Sequence, residues 1–145
     1  MQPDVISRAE ELPFADGSFD VVACRVAAHH FENVGGSMAE MARVSRDRVL
    51  MVDNLFLDEQ AEEADKVRDP SHMRNYSEPE WRELFEAAGL RIEDVRRFDK
   101  PIELEPWLER AGASDEEAER VRELLADRIE DGWITLDRIA LKGRK

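Results

Sequence analysis

Two apolar runs constrain most of what this chain can become. Residues 19 to 28, FDVVACRVAA, and residues 48 to 54, RVLMVDN, are nearly unbroken and rich in β-branched side chains. That is the pattern of strands covered on both faces, as in a parallel sheet, and the first run is expected to be a central strand. Between them SMAEMARVS, 37 to 45, places Ser37 and Glu40 at capping-box spacing and sets Met38, Met41, Ala42 and Val44 on an apolar side. Strand, short helix and strand in that order imply parallel strands joined by a right-handed crossover.

The remainder extends an α/β pattern. LDEQAEEADKVRDP, 57 to 70, predicts a partly exposed helix or lid stopped by Pro70. Ser77 and Glu80 form a second capping box, for a helix that carries Trp81, Leu84, Phe85 and Ala88 on one stripe and closes at Gly89. Trp81 and Phe85 read as core. RIEDVRRF, 91 to 98, predicts a weak strand, and Pro101 and Pro106 bracket a connection leading to Trp107 and Leu108. Ser114 and Glu117 cap a last helix with Ala118, Val121, Leu124, Leu125 and Ile129, and WITLDRIALKG, 133 to 143, returns as a final strand. Nothing divides the chain, so residues 1 to 145 are expected to form a single domain.

Charge narrows the partners. Thirty-four acids against twenty-one bases give a formal charge of -13, which repels nucleic acid phosphates and anionic lipid. Such a surface suits a salt-adapted cytoplasm or is ordinary solubilising charge. No run approaches the roughly 18 apolar residues of a membrane span, and residues 1 to 7 lack the features of a secretory signal, so a cytoplasmic location is expected. Cys24 is the only cysteine, which excludes an internal disulfide and disfavours a cysteine zinc site. The spacing of His29, His30 and His72 does not support a metal site, and no metal is expected.

Three phrases, AEELPFADGSFDVVACRVAAHHF (9 to 31), EMARVSRDRVLMVDN (40 to 54) and RDPSHMRNYSEPEWRELFEAAGL (68 to 90), together resemble the class I S-adenosylmethionine-dependent methyltransferases. The likeness is to the type 11 branch, which includes the ubiquinone and menaquinone biosynthesis methyltransferases, and it covers essentially the whole chain. It implies the C-terminal half of a Rossmann-like methyltransferase sheet: parallel strands with helices and an antiparallel strand pair at the C-terminal end. It also implies S-adenosylmethionine as cofactor and a small-molecule methyl acceptor. In that family a glycine-rich turn after the first strand holds the methionine end of the cofactor, and an acid after the second strand takes the ribose hydroxyls. Both lie upstream of the phrases quoted, and no three glycines here are spaced G-x-G-x-G after a strand. The expectation is an acceptor-side portion that is incomplete by itself. The alternative is a catalytically inactive remnant acting as an oligomeric or partner-binding module. The strand near residues 19–28 would then have a bare edge, covered in a homo-oligomer or by an N-terminal complementing polypeptide.

The resemblance also assigns residues. Ala9 and Glu10 fall where the family's backbone meets the adenine edge. Arg8 stands where an aspartate usually reaches the adenine amino group; a guanidinium only donates, so it cannot replace that acceptor, and it reads equally as a solvated residue. Cys24 and Arg25 lie where the chain passes the methionine portion. Arg25 otherwise pairs with an acid under the sheet, and Cys24 reads as a packing residue rather than a nucleophile. His29 and His30 reach the rim where ligands bind in open α/β sheets, either as a base for the acceptor's proton or with one capping the next helix while the other packs. Asp53 faces the acceptor or caps a turn with Asn54. Asp69, Ser71, His72, Arg74 and Tyr76 resemble a segment folded over the active site, with His72 and Arg74 suited to acceptor recognition. The same stretch also reads as a polar loop tied by an Asp69–Arg74 pair. Gly35 and Gly36 form an anion nest or a plain loop.

Overall fold

The two apolar runs become parallel neighbours in the computed structural model, which describes residues 4–145. Strand β1 (Phe19–Arg25) lies beside β2 (Ser45–Asn54), with Val22 opposite Val49 and Cys24 opposite Met51. β1 stops short of the apolar run because Val26 turns into the left-handed region (φ 52°) while donating its N–H to the Val52 carbonyl at 2.7 Å. A single 3-10 turn then covers Ala28–His30. Sheet order is β1-β2-β4-β3, so β1 is an edge strand among the described residues, not a central one. Its faces are largely exposed, Phe19 and Val21 included. This corrects the expectation of a strand buried on both sides. The apolar run holds the side chains such a strand needs, but only β2 pairs with it among the described residues, and only Val22 and Cys24 reach the core beneath it.

Helix α1 (Val34–Val44) begins earlier than Ser37. Asn33 is the cap, its Oδ1 accepting the Gly36 N–H at 2.9 Å. The glycine pair therefore lies within the first helical turn and makes no anion nest. Ser37 is buried instead, donating its hydroxyl to the Asn33 carbonyl at 3.0 Å. Helix α2 (Glu59–Arg68) is capped by Asp58, and α3 (Glu78–Ala87) carries both bonds of the expected Ser77–Glu80 capping box.

Two differences follow in the C-terminal half. β3 (Arg91–Glu103) runs straight through Pro101. It is the other sheet edge and pairs only with β4, so a missing N–H is tolerated there. The expected irregular connection is instead helix α4 (Leu104–Ala111), with Pro106 in the first turn, where no intrahelical N–H bond is required. Helix α5 (Asp115–Leu124) has the predicted Ser114–Glu117 box and ends before Ile129. β4 (Trp133–Arg144) enters between β2 and β3, antiparallel to both.

Two apolar clusters hold these layers. One packs Met38, Met41, Trp81, Phe85 and Leu90 against Val49, Met51 and Leu141 of the sheet. Trp81 and Phe85 are fully buried, as their helical spacing predicts. The second joins α2, α4 and α5 through Ala64, Trp107, Leu108 and Val121 to Ile134 of β4. Each large side chain so buried contributes roughly 1.5–3 kcal/mol. No helix among the described residues is long and apolar enough to cross a membrane.

Candidate functional site

The carboxyl ends of β1 and β2 lie side by side, where open α/β sheets bind ligands. The 3-10 turn brings His29 and His30 there, and Asp53 arrives at the end of β2. Asp53 is fully buried. Its Oδ1 lies 2.6 Å from His29 Nδ1 and accepts the Asn54 N–H at 2.8 Å, while Oδ2 accepts the His29 N–H at 3.1 Å. It thus grips His29, and the turn with Asn54 offered by the sequence does not form, because both residues are still paired within β2. A carboxylate only accepts, so in the neutral ring Nδ1 carries the proton and Nε2 the lone pair.

His30 is fixed differently. Its Nδ1 lies 3.1 Å from the Ser71 carbonyl and 3.0 Å from the Ser71 hydroxyl. The carbonyl only accepts, which again puts the proton on Nδ1 and leaves Nε2 without a partner among the described residues. Ser71 is itself anchored, donating its hydroxyl to Asp69 at 2.6 Å and its N–H at 3.0 Å. That hydroxyl bond is the main reason the Asp69 carboxyl sits below its ordinary range. His29 is buried and His30 half-exposed, with ring centroids 4.2 Å apart. Neither caps α1, since Asn33 does.

His72 is a third, buried ring, 5.4 Å from His29 and 6.4 Å from His30. Its Nε2 lies 3.0 Å from Oε1 of Glu62, a residue that sequence reasoning did not single out. Glu62 also accepts the Asn75 N–H at 3.1 and 3.2 Å, and the Asn75 amide donates to Asp65 at 2.7 Å. Burial lifts the Asp65 carboxyl above its ordinary range. Glu62, Asp65 and His72 each offer a ligand atom, all within 4.8 Å of one another, the spacing a cation would need. The i, i+3 spacing of Glu62 and Asp65 on α2 was legible, but the loop that completes the cluster was not.

The backbone carbonyl of His29 accepts from Met73 at 2.8 Å and Arg74 at 3.2 Å, which docks the loop onto the rim. The expected Asp69–Arg74 pair does not form. Arg74 turns outward to Glu80 at 2.5 Å and lies 4.5 Å over the Tyr76 ring, because its backbone is held at His29 while Asp69 is taken by Ser71.

On the exposed side of β1, Ala9, Cys24 and Arg25 meet Leu12 and Phe31 in a shallow groove. Arg25 is exposed and forms no ion pair among the described residues, so the pairing alternative is not realised. The Cys24 thiol is pushed up to about 11, first by burial and then by the Asp53 charge, which keeps it protonated and suits packing. Glu10 does not line the groove; it accepts the Asn33 N–H at 3.2 Å and pairs with Arg8 at 3.6 Å. Arg8 also pairs with Glu32 at 2.7 Å. The groove offers an apolar wall for a flat ring, and no carboxylate lines it to take ribose hydroxyls.

A separate cavity opens between α2, the end of β2 and β4. Leu55, Trp107, Leu125 and Leu136 give it apolar walls, and Glu62, Asp65 and Asn75 lie on its polar side. It holds about 50 Å³ for the centres of water-sized molecules.

A mixed four-stranded sheet of this order, with a polar rim at the ends of two parallel strands, resembles Rossmann-like methyltransferases. Residues 2–52 match the family model described as a methyltransferase domain. The uncharacterised methyltransferase YcgJ of Bacillus subtilis (strain 168) is 41% identical over 111 residues, 72% of this chain and 44% of that protein. The uncharacterised protein YafE of Escherichia coli (strain K12) is 34% identical over 109 residues, 70% of this chain and 53% of that one. The chain thus spans about half the length of these relatives. The crystal structure of YcgJ superposes with a TM-score of 0.86 at 32% identity, covering 94% of this chain and 68% of that one. A Bacillus halodurans C-125 crystal structure whose description names a methyltransferase gives 0.84 at 30% identity, covering 96% and 75%. The chain belongs to the class I S-adenosylmethionine-dependent methyltransferases. The type 11 methyltransferase model is the one that residues 2–52 match.

Proposed function

We propose that this chain carries the acceptor side of S-adenosylmethionine-dependent methyl transfer to a small molecule, with His30 accepting the proton that the acceptor releases. The observation that carries this reading is the His30 ring, whose Nδ1 is held by the Ser71 carbonyl while Nε2 stays free on a half-exposed rim. Bound S-adenosylmethionine supplies an electrophilic methyl group on a sulfonium. Methylation of an N–H, O–H or acidic C–H leaves a proton to be taken up, and imidazole is the side chain whose titration range lies nearest neutral pH. His29 is a positioning residue: Asp53 fixes its ring, its carbonyl fixes the loop, and its ring lies against that of His30, tilted by 46°. His72 and Arg74 frame the acceptor side. Ala9, Cys24 and Arg25 would hold the apolar portion of the cofactor, with Glu10 fixing the loop before β1 to the cap of α1.

A second reading concerns assembly. The exposed Phe19 and Val21 on an edge strand favour strand addition at β1 by a second copy or a complementing chain.

Calorimetric titration with S-adenosylhomocysteine tests cofactor binding, by this chain alone and together with a glycine-rich N-terminal polypeptide. Under binding conditions, His30→Asn should leave that affinity unchanged and lower S-adenosylhomocysteine release with an accepted substrate by about 10²–10⁴-fold. Full turnover by the variant would remove His30 as the base. Sedimentation showing a monomer at micromolar concentration would remove the strand-addition reading.

A further inference from the structure

We propose that the cavity between α2, the carboxyl end of β2 and β4 binds a small primary amine with an apolar body, its ammonium group held by Asp65 and Asn75. Identifying that amine as the methyl acceptor rests on the reading above, whereas its binding does not.

The Asn75 amide is the starting point. Asn75 is 5% exposed, and its Nδ2 donates to Asp65 Oδ2 at 2.7 Å. A carboxylate only accepts, so this is the amide orientation that satisfies the pair. It leaves the carbonyl oxygen of Asn75 buried without a partner. Oδ1 of Asp65 likewise takes no hydrogen bond among the described residues. Two unfilled acceptors therefore belong to one bonded pair on the wall of a cavity, where an orphaned polar oxygen costs about 1–3 kcal/mol. An ammonium group has three N–H donors and no acceptor, the complement of that pair.

Charge points the same way. The cavity is lined by Glu62, Asp65 and Asp137 against a single cation, Arg128, which Asp58 binds through Nη2 while its buried Nη1 has no partner among the described residues. Glu62 is occupied by His72 and the Asn75 N–H, so Asp65 is the carboxylate with capacity to spare. A carboxylate ligand would meet repulsion from the same groups. Leu55, Trp107, Leu125 and Leu136 supply the remaining walls, which suit an alkyl chain or a single ring.

The test is a calorimetric titration with butylamine and benzylamine, each beside its matching alcohol and carboxylic acid, with and without S-adenosylhomocysteine. The amines should bind saturably and the acids should not. Asp65→Asn should weaken the amines about tenfold or more, as loss of one partner of a buried ion pair does. Ala61→Leu, which fills the cavity and leaves every charge in place, should abolish amine binding while the fold, followed by circular dichroism, persists. Acids or alcohols that bind as tightly as the amines would overturn the proposal. So would an amine that ignores both substitutions, or no amine binding at millimolar concentration. Manganese or zinc bound tightly through Asp65 with no amine affinity would reassign the cluster to a metal and overturn it as well. Failure of S-adenosylhomocysteine to bind even beside a glycine-rich N-terminal polypeptide, while amines do, would strike the methyl-transfer reading alone.

Discussion

Asp53→Asn removes one charge and almost no volume, so it isolates what this buried carboxylate does. Two oxygens receive three N–H donors: His29 Nδ1 at 2.6 Å, the His29 amide at 3.1 Å and the Asn54 amide at 2.8 Å. Asparagine has one acceptor oxygen. If that oxygen keeps His29 Nδ1 and Asn54, its NH2 faces the His29 amide, donor against donor. One buried N–H then loses its partner, at about 1–3 kcal/mol, and two charge-assisted bonds become neutral ones, at about 1 kcal/mol each. The expected loss is about 3–5 kcal/mol, the size seen when one partner of a buried pair is removed, against about 5–15 kcal/mol for a whole domain. Urea unfolding followed by tryptophan fluorescence measures it. A loss below about 1 kcal/mol with an unchanged slope would refute the assignment. Thiol chemistry gives an independent readout. The Asp53 charge is the second cause, after burial, of the raised Cys24 thiol. Asp53→Asn should therefore lower that thiol and quicken its alkylation in the folded protein, and an unchanged rate would count equally against the argument.

Two further outcomes follow from packing and charge. A Cβ at Gly143 would lie 2.6 and 2.8 Å from Phe85 ring carbons and 3.1 Å from Leu90, so Gly143→Ala should cost about 1–3 kcal/mol in urea unfolding, with part of the loss recovered beside Phe85→Leu. Glu40 is held down to about 2, against an ordinary 4.5, first by Arg43 and then by the Leu12 N–H. Its folded value is depressed, so its contribution is complete above about pH 4.5 and is lost as pH falls to about 2. Glu40→Gln should flatten that acid limb in unfolding midpoints measured at stepped pH.

The legible part of the molecule was local. The Ser77–Glu80 and Ser114–Glu117 boxes are each decided by side chains three residues apart, and both formed as spaced. The Asn33 cap was missed because Ser37 and Glu40 carry the same signal a turn later, and the choice between them depends on where the preceding 3-10 turn ends. Pro101 read as a break because the sequence does not say that its strand lies at a sheet edge. The separate work of the two histidines was hidden for a similar reason. His29 meets a residue 24 positions away and His30 one 41 positions away, and adjacent identical side chains carry no mark of which partner each will find.

By itself, then, the sequence determined the α/β class, most of the capped helices, the two apolar strands and the methyltransferase phrases, because periodicity, capping and turn chemistry act within a few residues. Only the tertiary structure decided that β4 enters between β2 and β3, that His30 keeps a free nitrogen while His29 is tied to Asp53, and that Glu62, Asp65, His72 and Asn75 converge beside a cavity. Those arrangements depend on strand order and on a loop docked through backbone hydrogen bonds. Such interactions join segments far apart in the chain, so no pattern within a few residues reveals which groups will meet.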